Sequence, residues 1–86
     1  MPQISQFFGI SIYMYYDEHN PPHFHAIYGK NEGQIGISPL ALIEGQISGR
    51  ALGLVMEWGV LHKEELLQNW ALMRADKPPH KIPPLK

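Results

Sequence analysis

The 86-residue chain reads as an α+β domain: a three- to four-stranded antiparallel β-meander, then two C-terminal helices packed on one sheet face, then an extended proline-rich tail. Three observations carry this. Apolar residues alternate with period two between Phe8 and Ile37, in runs separated by Gly, Pro and Asn clusters. From Ala51 the apolar period becomes 3.6. Residues 77–86 hold four prolines in ten positions. The expected organisation is one compact domain over 1–76 and a stiff tail over 77–86.

The first strand is expected over Phe8 to Tyr16, with Ile10, Ile12, Met14 and Tyr16 on one face and Gly9, Ser11, Tyr13 and Tyr15 on the other. Asp17 to Pro22 must turn, because Asn20 precedes a proline and Pro22 cannot donate to a central ladder. The second strand spans His23 to Tyr28; Phe24, Ala26 and Tyr28 share one face, His23, His25 and Ile27 the other. Gly29 to Gly33 is a turn by composition. Gln34 to Ile37 forms a short third strand, and Leu40 to Ile47 is a candidate fourth, edge strand. Ser48 is placed to cap a helix. Its stripe is Leu52, Val55, Met56, Gly59 and Val60, widened by Leu54, Trp58 and Leu61, so burial on more than one side is expected. A break near His62 separates it from a second helix, which opens with Glu64 and Glu65 where the helix dipole favours acids. The core is expected to join Ile10, Ile12, Met14, Phe24, Ala26, Ile35 and Ile37 to Leu52, Val55, Met56, Leu66 and Trp70. Ile82 and Leu85 are the tail residues able to dock on it.

Composition narrows function. The net charge is −1 with neutral histidines, and the basic residues are scattered. That disfavours a nucleic-acid-gripping surface, and Glu57, Glu64 and Glu65 on the helical pair disfavour DNA readout through it. There is no cysteine, so disulfides and thiolate metal sites are out. No run approaches the ~18 apolar residues of a membrane span, and the first residues lack the basic and apolar regions of a signal peptide. A soluble, cytoplasmic protein is expected. A domain this small has a thin core and gains from a metal, a partner surface or oligomerisation.

Chemistry concentrates in Asp17-Glu18-His19-Asn20-Pro21-Pro22-His23-Phe24-His25. His23 and His25 lie two apart on a strand, so their rings leave the same face. With His19 or Asp17 supplying a further ligand from the turn, His19, His23, His25 and Asp17 are a candidate divalent-metal site, zinc being the natural ion, as a metal-dependent hydrolase would use. Without a metal, His23 and His25 are candidate catalytic residues, a general acid and base suited to RNA cleavage. Tyr13, Tyr15 and Arg50 are then candidates for a ligand or partner surface, the tyrosines as stacking platforms. A structural reading stands beside these: the turn and hairpin use the histidines as hydrogen-bonding groups. All the functional readings expect His23 and His25 to project from an open sheet face.

Three segments resemble a known family: Pro2-Gln3-Ile4-Ser5-Gln6-Phe7-Phe8-Gly9-Ile10, the stretch Met14 to Gly29 with its His-Asn-Pro-Pro-His-Phe-His string, and the helical Glu57 to Trp70. Together they resemble the small bacterial proteins of domain-of-unknown-function family 4160, over essentially the whole chain. The resemblance implies a stand-alone prokaryotic protein, often encoded beside a small protein of domain-of-unknown-function family 2442. It implies an interaction component of a two-gene toxin–antitoxin-like module, with that neighbour as partner. A transcriptional-regulator label is also attached to some members. A homo-oligomer is a further possibility, and RNA is the least supported partner. Gly59 departs from what a helix prefers, at a cost of about 1 kcal/mol unless a neighbour packs against it.

Overall fold

The computed structural model describes residues 2–86. Five strands run in chain order: β1 Gln3–Phe7, β2 Ile10–Tyr13, β3 His23–Tyr28, β4 Asn31–Ile37 and β5 Leu40–Gly45. All neighbours are antiparallel and the sheet order is β1-β2-β3-β4-β5, a meander. Helices α1, Gly49–Leu61, and α2, Lys63–Arg74, follow. The α+β class is as the sequence reads, with one strand more than the largest expected number. The expected strand from Phe8 to Tyr16 is instead the return arm of a hairpin. Phe8 (φ 50) and Gly9 (φ 78) make its two-residue loop, a geometry that needs positive φ at both positions and which Gly9 accepts without a Cβ penalty.

Register places the core. Ile12 pairs with Ala26, Ala26 with Gly33, Phe24 with Ile35, and Ile35 with Leu42. These side chains share one face, and the helices contribute Ala51, Val55, Trp58, Leu66, Trp70 and Met73 to the same buried cluster. Every expected strand residue of the core is buried, whereas Leu52 and Met56 are only partly so. Val60 and Leu61 depart from expectation. They are 70% and 66% exposed, because α1 buries only the narrow stripe Ala51, Val55, Trp58 and Gly59.

Local chemistry ends each helix. Ser48 Oγ accepts from Ala51 N at 3.3 Å, capping α1. His62 is both the C-cap of α1 and the N-cap of α2, with φ −119° and ψ 26°; its ring lies against Trp58, and its Nδ1 is 2.5 Å from Glu65 Oε1.

The tail is fastened to the body. Asn69, buried, donates to the His80 carbonyl at 2.9 Å and accepts from the His80 N–H at 2.8 Å. Ile82 is buried, and its N–H donates to the Ile4 carbonyl at 2.8 Å. Lys81 Nζ donates to the Gln3 carbonyl and Trp58 Nε1 to the Pro83 carbonyl. The tail therefore lies along β1.

Two expectations follow for stability. A Cβ at Gly53 meets nothing within 4 Å among the described residues, whereas one at Gly59 meets Leu40 Cδ1 at 3.0 Å. Gly53→Ala should raise the unfolding free energy by about 1 kcal/mol through helix propensity alone; Gly59→Ala should give no such gain, because Leu40 must move. Urea melts of both variants check this, and an equal gain from both contradicts it. Asn69→Ala should cost about 2 kcal/mol, since it strips two hydrogen bonds from the buried grip on the tail, and should speed amide exchange at His80 and Ile82; unchanged exchange there contradicts the role given to Asn69.

Candidate functional site

Strand alternation puts His23 and His25 on the sheet face away from Phe24 and Ala26. Register sets Tyr13 and Gln34 beside His25, and Gly36 beside His23. That face is not open. The segment between β2 and β3 folds back over it, and His23 and His25 are each only 5% exposed. The expectation of projecting rings is corrected here. Two imidazoles, one tyrosine and one tryptophan make enough apolar surface to hold the segment down. Tyr15 meets the His25 ring edge-on at 4.4 Å between centroids, and Trp70 lies 5.3 Å from the His23 ring.

The rings converge. Their centroids are 5.3 Å apart, and the Nε2 atoms of both face one carboxylate oxygen, Glu18 Oε1. The His25 contact to that oxygen is a short hydrogen bond, and the His23 distance is 3.4 Å. Each ring is held from behind as well. His23 Nδ1 donates to the Pro21 carbonyl at 2.8 Å, and His25 Nδ1 lies 2.8 Å from Glu32 Oε2. Glu18 itself is anchored from α2, where Arg74 Nη1 donates to its carbonyl at 3.2 Å.

The acid in the cluster is Glu18, which replaces the expected Asp17, and His19 brings no ligand atom to it. Asp17 adopts φ 63°, a left-handed step that short polar residues tolerate. Asp17 and His19 are exposed, and together with Glu18, Met73 and Arg74 they line a cleft of about 300 Å³ beside the cluster. Sequence reasoning passed over Glu18 and Glu32; the one available signal was that Glu18 lies within the same dense stretch. Tyr13 stacks on Tyr15 with rings 6.1 Å apart and nearly parallel, so the tyrosine pair does adjoin His25. Arg50 does not join it; it lines a separate cavity with Phe8 and Tyr28.

Burial raises the Glu18 pKa, but its hydrogen bond to His25 and the charges of His25 and His23 outweigh that, so its carboxyl sits below its ordinary value. Burial, then the nearby Glu32, Tyr13 and Glu18, raise the Tyr15 phenol. At neutral pH the site thus combines an ionised carboxylate with a neutral phenol.

The family model described as "Domain of unknown function (DUF4160)" matches residues 9–71. The matched span begins at Gly9, so Pro2 to Phe8 lies outside it, but it takes in the entire histidine cluster. No curated protein and no solved structure matches the chain.

A carboxylate with a lowered folded pKa contributes stability that is present above its unfolded pKa, about 4.3, and lost as pH falls through the folded value. Glu18→Gln should therefore lower stability at pH 7 and flatten the acid-side loss below about pH 4.3. Denaturant midpoints taken from pH 7 down to pH 3 check it; a variant whose acid profile overlays the parent's would refute this role for Glu18.

Proposed function

The chain belongs to domain-of-unknown-function family 4160, and from that premise we propose that it is an interaction protein, one component of a bacterial, cytoplasmic two-gene toxin–antitoxin-like module. The observation that supports this reading is the difference between the two edges of the sheet. The β1 edge is occupied by the tail through Ile82 and Lys81. The β5 edge has no paired strand among the described residues. Proteins that keep an edge strand free usually blunt it with lysine, proline or brevity. β5 is six residues long, Leu40-Ala41-Leu42-Ile43-Glu44-Gly45, with one charge and no internal proline. Ile43 on it is 45% exposed.

Such an edge suits strand addition, in which main-chain hydrogen bonds supply affinity and alternate side chains supply selectivity. The partner in this reading is the small protein encoded by the neighbouring gene, adding a strand beside β5. Val60 and Leu61 supply exposed apolar surface on α1, the helix that packs on β5 through Gly59 and Leu40. The enzymatic alternative, through His23 and His25, has less support, since both rings are covered and neither offers open approach to a substrate. No helix among the described residues is long and apolar enough to cross a membrane.

Co-expression with the neighbouring gene tests the reading. The two products should co-purify at a fixed ratio, and Ile43→Lys should weaken the complex roughly tenfold, about 1.4 kcal/mol, while leaving the fold intact. A chain recovered alone from that co-expression, or a complex indifferent to charge at Ile43 and Ala41, sinks it.

A further inference from the structure

We propose that Glu18, His23 and His25 form a binding site for one divalent transition-metal ion of the zinc class. Such a site is independent of the partner proposed above. The Pro21 carbonyl can only accept, so His23 Nδ1 carries the proton in the hydrogen bond between them. In the neutral ring Nε2 is then a bare lone pair. That atom is buried and has no hydrogen-bond partner among the described residues. The polar atom it faces, 3.4 Å away, is a carboxylate oxygen. While the ring is neutral, two acceptors face each other under cover and repel, and a buried acceptor left unpaired is costly; a proton on Nε2, giving an ion pair with Glu18, relieves this, and so does a metal ion.

The His23–Glu18 distance already fits an ion of this kind, and the closer His25–Glu18 pair must open to admit it. Metal–ligand bonds of about 2.0–2.1 Å at tetrahedral angles put neighbouring ligand atoms roughly 3.3–3.5 Å apart, and the His23–Glu18 separation is 3.4 Å. One ligand atom from each of the three residues lies within 4.8 Å of the others. His25 is the closer neighbour of Glu18, through the hydrogen bond from Nε2. A metal takes the place of that proton, as metals do when they bind protonated ligands. Glu18's second oxygen or a water completes the set. Two imidazoles and one carboxylate favour zinc and its neighbours over magnesium or calcium, which take oxygen ligands.

The outer layer is already built. Ligand histidines hold the ring nitrogen that does not bind metal against a carbonyl or carboxylate, which fixes the tautomer and aims the lone pair. Pro21 does this for His23 and Glu32 does it for His25. Glu32 is therefore a positioning residue, acting through His25. An ion here joins the turn to β3, and through the Arg74 contact to Glu18 it ties in the end of α2. It would be a cross-link in a small domain that has no cysteine to make one.

Zinc titrated calorimetrically into untagged, chelator-stripped full-length protein should bind at a ratio near one. Cobalt in its place should give the visible bands of a tetrahedral nitrogen–oxygen site. With zinc a hundredfold above Kd the melting temperature should rise by on the order of 10 °C. Glu18→Gln and His23→Gln should each weaken binding at least about a hundredfold, and Glu32→Gln by about 10- to 100-fold. Asp17→Asn and His19→Ala should change it less than about twofold, since neither side chain is in the set. Should His23→Gln fail to fold, Glu18→Gln, on a side chain 26% exposed, carries the test alone. No binding at 100-fold molar excess of zinc overturns the proposal, and so does binding that Asp17→Asn or His19→Ala weakens as much as Glu18→Gln.

Discussion

Side-chain alternation along β3 is the constraint on which this molecule turns. It sends Phe24 and Ala26 into the core shared with the helices, where both are fully buried, and His23 and His25 to the other face. A slip of one residue would exchange the two sets, placing imidazoles against Trp58 and Phe24 in water. The uninterrupted pairing of β3 with both β2 and β4 forbids that slip. Six consecutive pairs with β4 fix where Glu32 stands, and therefore which carboxylate reaches His25.

Placing two histidines on a covered face demands partners for four ring nitrogens. Three are met within the chain, by Pro21, Glu32 and Glu18. The partners come from two parts of the sequence: Glu18 and Pro21 from the segment between β2 and β3, and Glu32 from β4. The cluster is thus a junction as well as a chemical site. Trp70 and Arg74 extend it into α2, so the end of the second helix is tied to the outer face of the sheet as well as to the core.

The rest of the chain closes around this arrangement unevenly. The tail seals the β1 edge, with Asn69 gripping the main chain of His80 and Ile82 filling the core beside Ile4. The opposite edge, β5, is left with Ile43 turned to solvent. An antiparallel meander must end in two edges; here one is closed from within the chain and the other faces outward. The covered histidines and the uncovered edge lie on different parts of the molecule, which separates the internal chemistry from the surface available to other molecules.

Much of this was legible in the residues. The period-two runs mark β2 to β4, the change to 3.6 marks α1, and Ser48 and His62 punctuate the helices because their chemistry is local. The strand β1 was hidden because a bulge between Gln3 and Ser5 breaks the alternation, letting Ile4 and Phe7 both be buried. Val60 and Leu61 look like core by composition; among the described residues α1 meets nothing on that side. The sequence by itself determined the fold class, the face shared by His23 and His25, and the turn that precedes them, since each depends on neighbours within a few positions. Only the tertiary structure decided that the rings are covered, that Glu18 and not Asp17 is their carboxylate, and that Glu32 stands behind His25. Those outcomes depend on how a loop closes over a sheet and on strand register, and contacts between residues distant along the chain leave no period to read.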